Sequence, residues 1–144
     1  MAMESVNPAT GQVIATFEEL TDAELDARLE RAEAAFRRYR ETTYAQRAER
    51  LARLADLLEG RAEELGRLMT EEMGKPIGAA VAEAKKCALA CRYYVEHGEE
   101  HLADEPVEVG GARAYIRHLP IGPVLAIMPW NFPFWQVIRF AAPA

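Results

Sequence analysis

The sequence predicts an α/β fold, and three observations support this class. Residues 21–103 place apolar side chains at helical spacing, residues 105–119 alternate around a glycine pair, and residues 122–128 form a continuous apolar run. A continuous run is typical of a strand buried on both faces of a parallel sheet. A tight loop and a helical stretch come after it, which is the order of a βα unit. Because such a sheet needs further strands, we expect the sequence to hold a truncated form of its fold.

The composition predicts one domain and argues against some partners. The chain has 144 residues, 50% hydrophobic and 28% charged, which is enough for a hydrophobic core. Its net charge is −6 and no basic run interleaved with aromatics occurs, so we expect no nucleic-acid partner. Two cysteines in one helical stretch give no disulfide framework, and the N-terminus lacks a secretory pattern. The sequence therefore predicts a cytoplasmic protein.

One uncharged stretch of the sequence is long enough to cross a membrane. The residues between His118 and Arg139 carry no charge, and roughly 20 apolar residues suffice for a spanning helix. Prolines within the stretch remove backbone donors and interrupt a helix: Pro120, Pro123, Pro129 and Pro133. We therefore expect a buried strand, a rigid loop and a helix start here, and no membrane span.

The first residues, 4–19, predict a short extended region. Asn7 and Pro8 open a turn, and Gly11 can adopt a positive φ. Residues 12–17 then have the composition of a strand.

Capping signals divide the helical region. Thr21 and Glu24 form a capping box at the start of the first helix, and Thr43 and Gln46 form a second box. The second box opens a helical run that Gly74 ends as a C-cap, with a proline just beyond it.

A third helix is predicted over about residues 77–102. Its apolar seam consists of Ile77, Val81, Ala84, Ala88, Cys91 and Val95. Cys87 and Cys91 lie on or beside this seam, so we interpret them as inert core thiols. The Lys85–Lys86 pair and the charged outer faces are interpreted as solvated.

A β-hairpin is predicted after the helices. Residues 106–109 and 112–118 alternate apolar and polar side chains, and Gly110 and Gly111 join them. A glycine pair between alternating runs is a strong signal for a two-residue hairpin turn.

The loop Pro129-Trp130-Asn131-Phe132-Pro133 is the candidate site. The prolines favour extended backbone at the residues before them, and we expect the two aromatics to anchor the loop by burial. Asn131 offers a neutral amide with two N–H donors after a predicted buried strand, where α/β sheets bind ligands. From the residues alone, two interpretations remain open: an oxyanion-binding donor, or a cap for the next helix.

Several separated motifs resemble those of the aldehyde dehydrogenase superfamily, and the resemblance covers essentially the whole chain. Pro-Trp-Asn-Phe-Pro at 129–133 matches a hallmark of that family. Residues 7–15 resemble its opening, and Glu71-Glu72-Met73-Gly74-Lys75-Pro76 resembles its signature after the second helical region. Residues 120–124 (Pro-Ile-Gly-Pro-Val) resemble its approach to the strand before the hallmark.

The resemblance implies NAD(P)-dependent oxidation of an aldehyde to a carboxylic acid, through a thiohemiacetal formed when a cysteine attacks the aldehyde. Asn131 would be catalytic, donating its amide to the oxyanion. NAD or NADP would contact a cofactor-binding stretch made of Ile127, Met128, Pro129, Trp130 and Asn131.

The resemblance also divides the chain. Residues 1–104 would form the mainly helical part of a Rossmann-like cofactor-binding domain. Residues 105–119 would be a hairpin that joins subunits into a homo-oligomer. Residues 120–144 would hold the first strand, the hallmark loop and a helix of the cofactor-binding domain, left incomplete.

Two positions bear on the substrate. Phe140 stands where many family members have lysine, and its presence resembles a subgroup of short bacterial semialdehyde dehydrogenases. Arg139 matches a position where succinate-semialdehyde enzymes bind the substrate carboxylate, which a guanidinium can grip through two oxygens. An ordinary surface arginine is the other interpretation.

The remaining catalytic groups are expected elsewhere. The resemblance places the nucleophilic cysteine, the general-base glutamate and the phosphate-binding loop on later segments, so we expect the isolated chain to be inactive. No metal site is expected. His97 and His101 have the spacing of the two histidines in a zinc-binding His-Glu-x-x-His pattern, but the position directly after His97 is Gly98 and not the required glutamate.

A different class of function is the alternative. The chain would be a non-catalytic binding module or pseudoenzyme that docks a protein through Trp130, Phe132, Trp135 and the hairpin.

Overall fold

The fold is built from a four-helix region flanked by two β-hairpins and closed by a short helix. The computed structural model describes residues 3–144. The elements in chain order are β1 (Met3–Val6), β2 (Val13–Phe17), α1 (Asp22–Tyr39), α2 (Tyr44–Gly60), α3 (Ala62–Met73), α4 (Ile77–His101), β3 (Glu105–Val109), β4 (Ala112–Ile116) and α5 (Pro133–Ala141).

The first hairpin confirms the predicted turn and strand. Strands β1 and β2 pair antiparallel with Met3 opposite Phe17. The side-chain oxygen of Asn7 accepts from the amide of Ala9 at 2.9 Å, and Gly11 has a φ of 72°. An Asx turn followed by a left-handed glycine thus reverses the chain.

The helix starts also agree with the sequence signals. The Thr21 hydroxyl accepts from the Glu24 amide at 3.3 Å, and the Glu24 carboxylate accepts from the Thr21 amide at 2.8 Å. The second capping box, of Thr43 and Gln46, is also formed on both sides. These reciprocal bonds satisfy backbone donors that a helix start leaves free.

The helical run after Thr43 breaks at a point where the sequence pattern predicts that it continues. Arg61 has φ −108° and ψ 15°, outside the helical range, and separates α2 from α3. Gly60 precedes it, and glycine is a poor helix residue because its backbone loses the most freedom. The run ends at Gly74, whose φ of 74° confirms the predicted C-cap.

Helix α4 forms the centre of the core, with α2, α3 and α5 packed on it. One cluster of buried core residues joins α2, α4 and α5 and consists of Ala55, Leu58, Cys87, Ala88, Cys91 and Ile138. Small side chains allow the helices to approach closely: a Cβ placed on Gly66 of α3 would lie 2.6 Å from a methyl of Val81 on α4. In contrast, no residue of α1 is buried.

The seam of α4 agrees in part with the predicted one, because Ala84, Ala88 and Cys91 are buried as expected. Ile77 is 50% exposed, whereas Ala80 and Glu83 are buried together with the predicted Ala84. The expectation of a buried Ile77 was wrong: it is the first residue of α4, and the buried face begins one turn further along, at Ala80.

The segment before the hallmark loop is neither helix nor strand over residues 117–129. Leu125 and Ile127 are each 85% exposed. The predicted strand buried on both faces at 122–128 is therefore absent from residues 3–144. A strand needs hydrogen-bonded neighbours, and the described residues pair only as β1 with β2 and β3 with β4.

The second hairpin confirms its predicted turn. Glu105 pairs with Ile116 and Val109 with Ala112, and Gly111 has a φ of 79°. Arg117 and Asp104 form an ion pair at its base. Within residues 3–144, no helix has the length and apolar content to cross a membrane.

Candidate active site around Asn131

The hallmark loop connects the extended segment to α5. Pro133 is the first residue of α5, where its missing N–H costs nothing. Asn131 is exposed, and its side-chain amide has no hydrogen-bond partner among residues 3–144. The predicted oxyanion donor is thus presented to the outside with both N–H donors free.

Lys75 holds the loop backbone from the buried side. Its Nζ donates to the carbonyl oxygen of Asn131 at 3.2 Å and lies 3.6 Å from the centroid of the Phe132 ring. The residue is only 8% exposed and forms an ion pair with Glu83, which is 4% exposed. A buried ammonium is therefore shared between a carboxylate, a carbonyl and an aromatic face.

Glu83 caps α5 from a different helix. One carboxylate oxygen accepts from the amides of Phe134 and Trp135, at 3.1 and 2.9 Å. Phe132, the N-cap residue, makes no side-chain cap bond. The Glu83 carboxylate therefore supplies the acceptor that the N-terminus of α5 needs. Its negative charge lies at the positive end of the helix dipole, which is favourable.

Local structure brings Lys75 to this position. Gly74 ends α3 with a left-handed φ of 74°, which turns the chain back so that Lys75 lies under the loop. The Thr70 hydroxyl donates to the Lys75 carbonyl at 2.7 Å. The Gly-Lys-Pro stretch therefore ends α3 and places the Lys75 ammonium against the loop.

A second cation lies against α5. The Nζ of Lys86 is 3.8 Å from the centroid of the Trp135 ring. The interpretation of Lys86 as simply solvated was therefore incomplete: its head covers an aromatic face, an attractive contact.

The predicted cofactor stretch forms an exposed apolar strip that leads to Asn131. Ile127 is 85% and Trp130 74% exposed, Pro129 is exposed, and Met128 is half-buried. The expectation that both loop aromatics are buried was wrong, since Phe132 is also 43% exposed. No side chain from 127 to 131 carries a charge. Such a strip offers apolar contact surface and no cation for a phosphate group.

Arg139 lies on the exposed side of α5. No contact among residues 3–144 joins it to Asn131 or to a carboxylate. Its guanidinium is free to bind an anion, but the structure does not bring it together with the loop.

The two cysteines lie in the core of α4. Both are 0% exposed. Burial, together with a smaller effect of the nearby Glu83 carboxylate, raises the pKa of the Cys87 thiol to about 12, and burial also raises the pKa of Cys91. A protonated, inaccessible thiol is not a nucleophile, which agrees with the interpretation of both residues as inert core thiols.

The histidines of α4 belong to an aromatic cluster. The Tyr93 hydroxyl lies 2.9 Å from Nε2 of His101, and the rings of Tyr93 and His97 are 4.6 Å apart. Among residues 3–144, no group of three or more His, Cys, Asp or Glu side chains is arranged for a metal ion.

The roles of Lys75 and Glu83 were not predicted from the sequence. Lys75 lies in a motif whose pattern assigned it no role, and Glu83 belongs to none of the motifs. A signal was present, because Glu83 lies one turn from Ala80 and next to Ala84 on the apolar side of a helix. A carboxylate on an apolar face needs a buried partner, and a lysine eight residues away was available.

Known proteins resemble the chain along its whole length. A sequence profile of the aldehyde dehydrogenase family matches residues 1–144. The succinate-semialdehyde dehydrogenase [NADP(+)] of Mycobacterium avium strain 104 is 54% identical over 148 residues, covering 100% of this chain and 31% of that protein. A probable succinate-semialdehyde dehydrogenase [NADP(+)] of Synechocystis is 50% identical over 144 residues, covering 100% and 32%.

Solved structures agree with the sequence relatives. The succinic semialdehyde dehydrogenase of Streptococcus pyogenes, in complex with NADP+, superposes with a TM-score of 0.92 at 33% identity. The superposition covers 97% of this chain and 31% of that one. The chain thus spans about 31% of the length of the curated relatives.

Proposed function

The chain belongs to the aldehyde dehydrogenase family, and on that premise we propose that it is the N-terminal part of an NADP-dependent succinate-semialdehyde dehydrogenase. In this proposal Asn131 donates its side-chain amide to the oxygen of the aldehyde as that oxygen gains negative charge. The observation that carries the proposal is a free, exposed amide on a loop whose backbone is held by Lys75 and Glu83.

The amide of Asn131 suits this role for electrostatic reasons. An oxyanion is stabilised by donors that already point at it and need not reorient during the reaction. The Asn131 amide is neutral and has no competing partner among residues 3–144. Its N–H groups would therefore be available to the substrate oxygen before the reaction begins.

The cofactor would lie along the apolar strip. Ile127, Met128, Pro129 and Trp130 would contact the nicotinamide half, next to Asn131. NADP, which the names of the relatives carry, accepts a hydride from the substrate carbon when bound. The contribution of the strip is to orient the ring and to exclude water from the face it covers.

The nucleophile is proposed to come from another segment of the enzyme. A thiolate there would attack the aldehyde carbon, and the resulting oxyanion is the group that Asn131 would bind. Cys87 and Cys91 are both fully buried, which supports their exclusion as nucleophiles. We therefore propose that residues 1–144 alone do not catalyse the reaction.

Arg139 is the proposed carboxylate-binding residue. It is exposed and has no ion-pair partner among residues 3–144, and its neighbour Phe140 is 37% exposed. A guanidinium next to an apolar ring suits a short substrate with an aldehyde at one end and a carboxylate at the other.

The second hairpin is the proposed subunit contact of a homo-oligomer. Its strands expose several large apolar side chains, and exposed apolar patches of this kind mark interaction surfaces. Each of these is more than 40% exposed: Val107, Val109, Tyr115 and Ile116. The two unpaired cysteines suit a reducing compartment, so we propose a cytoplasmic location.

A binding module remains the second candidate. Trp130 is 74% and Phe132 43% exposed, and exposed aromatics mark protein-docking surfaces. The two candidates make different demands on the sequence after residue 144: the enzyme needs a cysteine nucleophile there, whereas the module does not.

The test uses the protein encoded by the complete open reading frame that contains these residues. NADPH formation is measured with succinate semialdehyde and with butanal, an aldehyde of the same length that lacks the carboxylate. We expect Arg139→Leu to raise the KM for succinate semialdehyde and to leave that for butanal unchanged. Absence of NADPH formation with either aldehyde contradicts the enzyme proposal and favours the binding module.

A further inference from the structure

We propose that Lys75 and Glu83 are positioning residues for catalysis, which hold the Asn131 amide in the orientation that receives the oxyanion. This inference rests on the proposed function of Asn131. Neither residue touches the substrate in this proposal, because Lys75 is 8% and Glu83 4% exposed. Their effect passes through the backbone of the loop.

The two side chains hold the loop at Asn131 itself and at the start of the helix that follows it. Lys75 binds the carbonyl oxygen of Asn131 itself, 3.2 Å from its Nζ. Glu83 binds the amides of Phe134 and Trp135, three and four residues further on. The ion pair joins these two contacts, so the backbone before and after Phe132 is anchored to one buried unit.

Asn131 needs this positioning because few other contacts restrain it. The preceding segment, residues 117–129, belongs to no helix or strand, and Asn131 has no side-chain contact among residues 3–144 that would orient it. Fixing the backbone sets the direction of the Cα–Cβ bond of Asn131 and limits the positions that its amide can reach through the allowed rotamers. A misplacement of about 1 Å at a reacting group can cost on the order of 100-fold in rate.

A purely structural role for the pair would have different consequences. If Lys75 and Glu83 only supported the packing of α5 on α4, their loss would reduce activity to the same degree with or without Asn131. If they act through Asn131, their loss should matter only while the Asn131 amide is present. A double-variant comparison separates these possibilities.

The experiment measures kcat and KM of the complete enzyme for Glu83→Gln, Lys75→Met and Lys75→Arg, each alone and combined with Asn131→Ala. Lys85→Met is the control, because Lys85 is an exposed lysine of the same helix as Glu83. We expect Glu83→Gln and Lys75→Met to lower kcat by about 10- to 100-fold with little change in the KM for NADP. Lys75→Arg, which keeps the charge and the donors, should recover part of the loss.

In the Asn131→Ala background, the same two variants should lower kcat no further. An equal loss in both backgrounds, or an unchanged kcat in Glu83→Gln, overturns the inference. If the unaltered enzyme forms no NADPH, the proposed function fails instead, and the two failures are distinguishable.

A second measurement covers variants that fold poorly. Exchange of the Phe134 and Trp135 amides with solvent deuterium, measured by NMR, reports the anchoring directly. We expect both amides to be protected in the unaltered protein and in Lys75→Arg, and to lose more protection in Lys75→Met than the buried amides of Ala88 and Cys91 in α4, which report overall stability. Equal exchange in Lys75→Met and the Lys85→Met control overturns the inference.

Discussion

The side-chain nitrogen of Lys75 lies 3.2 Å from the carbonyl oxygen of Asn131, although 56 residues separate them in the chain. The contact joins the end of α3 to the loop before α5. It is made below the surface, whereas the Asn131 side chain is exposed. Asn131 is thus held through its backbone carbonyl, while its side-chain amide remains accessible to a ligand.

Removing the Lys75 ammonium should destabilise the fold strongly. Lys75→Met leaves the Glu83 carboxylate buried without its cation, and the loss of one partner of a buried pair costs about 3–5 kcal/mol. The double variant Lys75→Met/Glu83→Gln should be less destabilised than Lys75→Met alone, because the uncompensated charge is gone. Urea unfolding monitored by circular dichroism measures both, with Lys85→Met as the matched control. A Lys75→Met unfolding midpoint equal to that of the control would contradict this.

Replacing Asn131 should reduce turnover without weakening cofactor binding. Loss of one oxyanion donor costs about 100- to 1,000-fold in kcat. We expect Asn131→Ala of the complete enzyme to show this loss with an unchanged KM for NADP. Asn131→Asp should be worse, because its carboxylate repels the oxyanion. A normal kcat in Asn131→Ala would remove Asn131 from the catalytic set.

The 144-residue chain alone should form no NADPH from any aldehyde. The reason is chemical: its two thiols, Cys87 and Cys91, are both 0% exposed. The assay compares the purified chain with the product of the complete open reading frame at equal concentration. Aldehyde-dependent NADPH formation by the chain, abolished by Cys87→Ala, would show that a buried thiol had become the nucleophile.

The same thiols should make the fold less stable in alkaline solution. The pKa of Cys87 rises from an ordinary value of 9.0 to about 12 in the fold. Below the ordinary value both the folded and the unfolded thiol are protonated, and stability is complete. Between these values the unfolded chain releases the proton and the folded chain does not, so stability falls as the pH rises. Urea midpoints across this range should fall less steeply in Cys87→Ala; parallel profiles would argue against a raised pKa.

The exposed segment before the loop should make the isolated chain associate. Ile121 is 92% and Leu125 85% exposed, and both strands of the second hairpin have an open edge. We expect concentration-dependent assemblies in size-exclusion chromatography with light scattering. Ile121→Lys/Leu125→Lys should reduce them, whereas the charge-matched control Ala27→Lys/Ala79→Lys, at two exposed helix positions, should not. A sharp monomer at all concentrations would count against this expectation.

How far the sequence could predict the structure depended on the range of each interaction. The capping box of Thr21 and Glu24 and the helix end at Gly74 involve neighbouring residues, so local patterns sufficed. The strand expected at 122–128 was wrong for residues 3–144, because strand formation depends on a neighbouring strand that local sequence does not supply. Glu83 was missed for a similar reason: its backbone partners, Phe134 and Trp135, lie 51 and 52 residues away.

The separation between Glu83 and its partners has a consequence for synthesis on the ribosome. The carboxylate emerges well before the amides of Phe134 and Trp135, and at about 5–20 residues per second the interval lasts several seconds. During this time α3 and α4 can fold around a Glu83 that is still hydrated. Its desolvation is completed only when α5 docks, so the arrival of the helix after Asn131 is also the step that closes the core of the nascent chain.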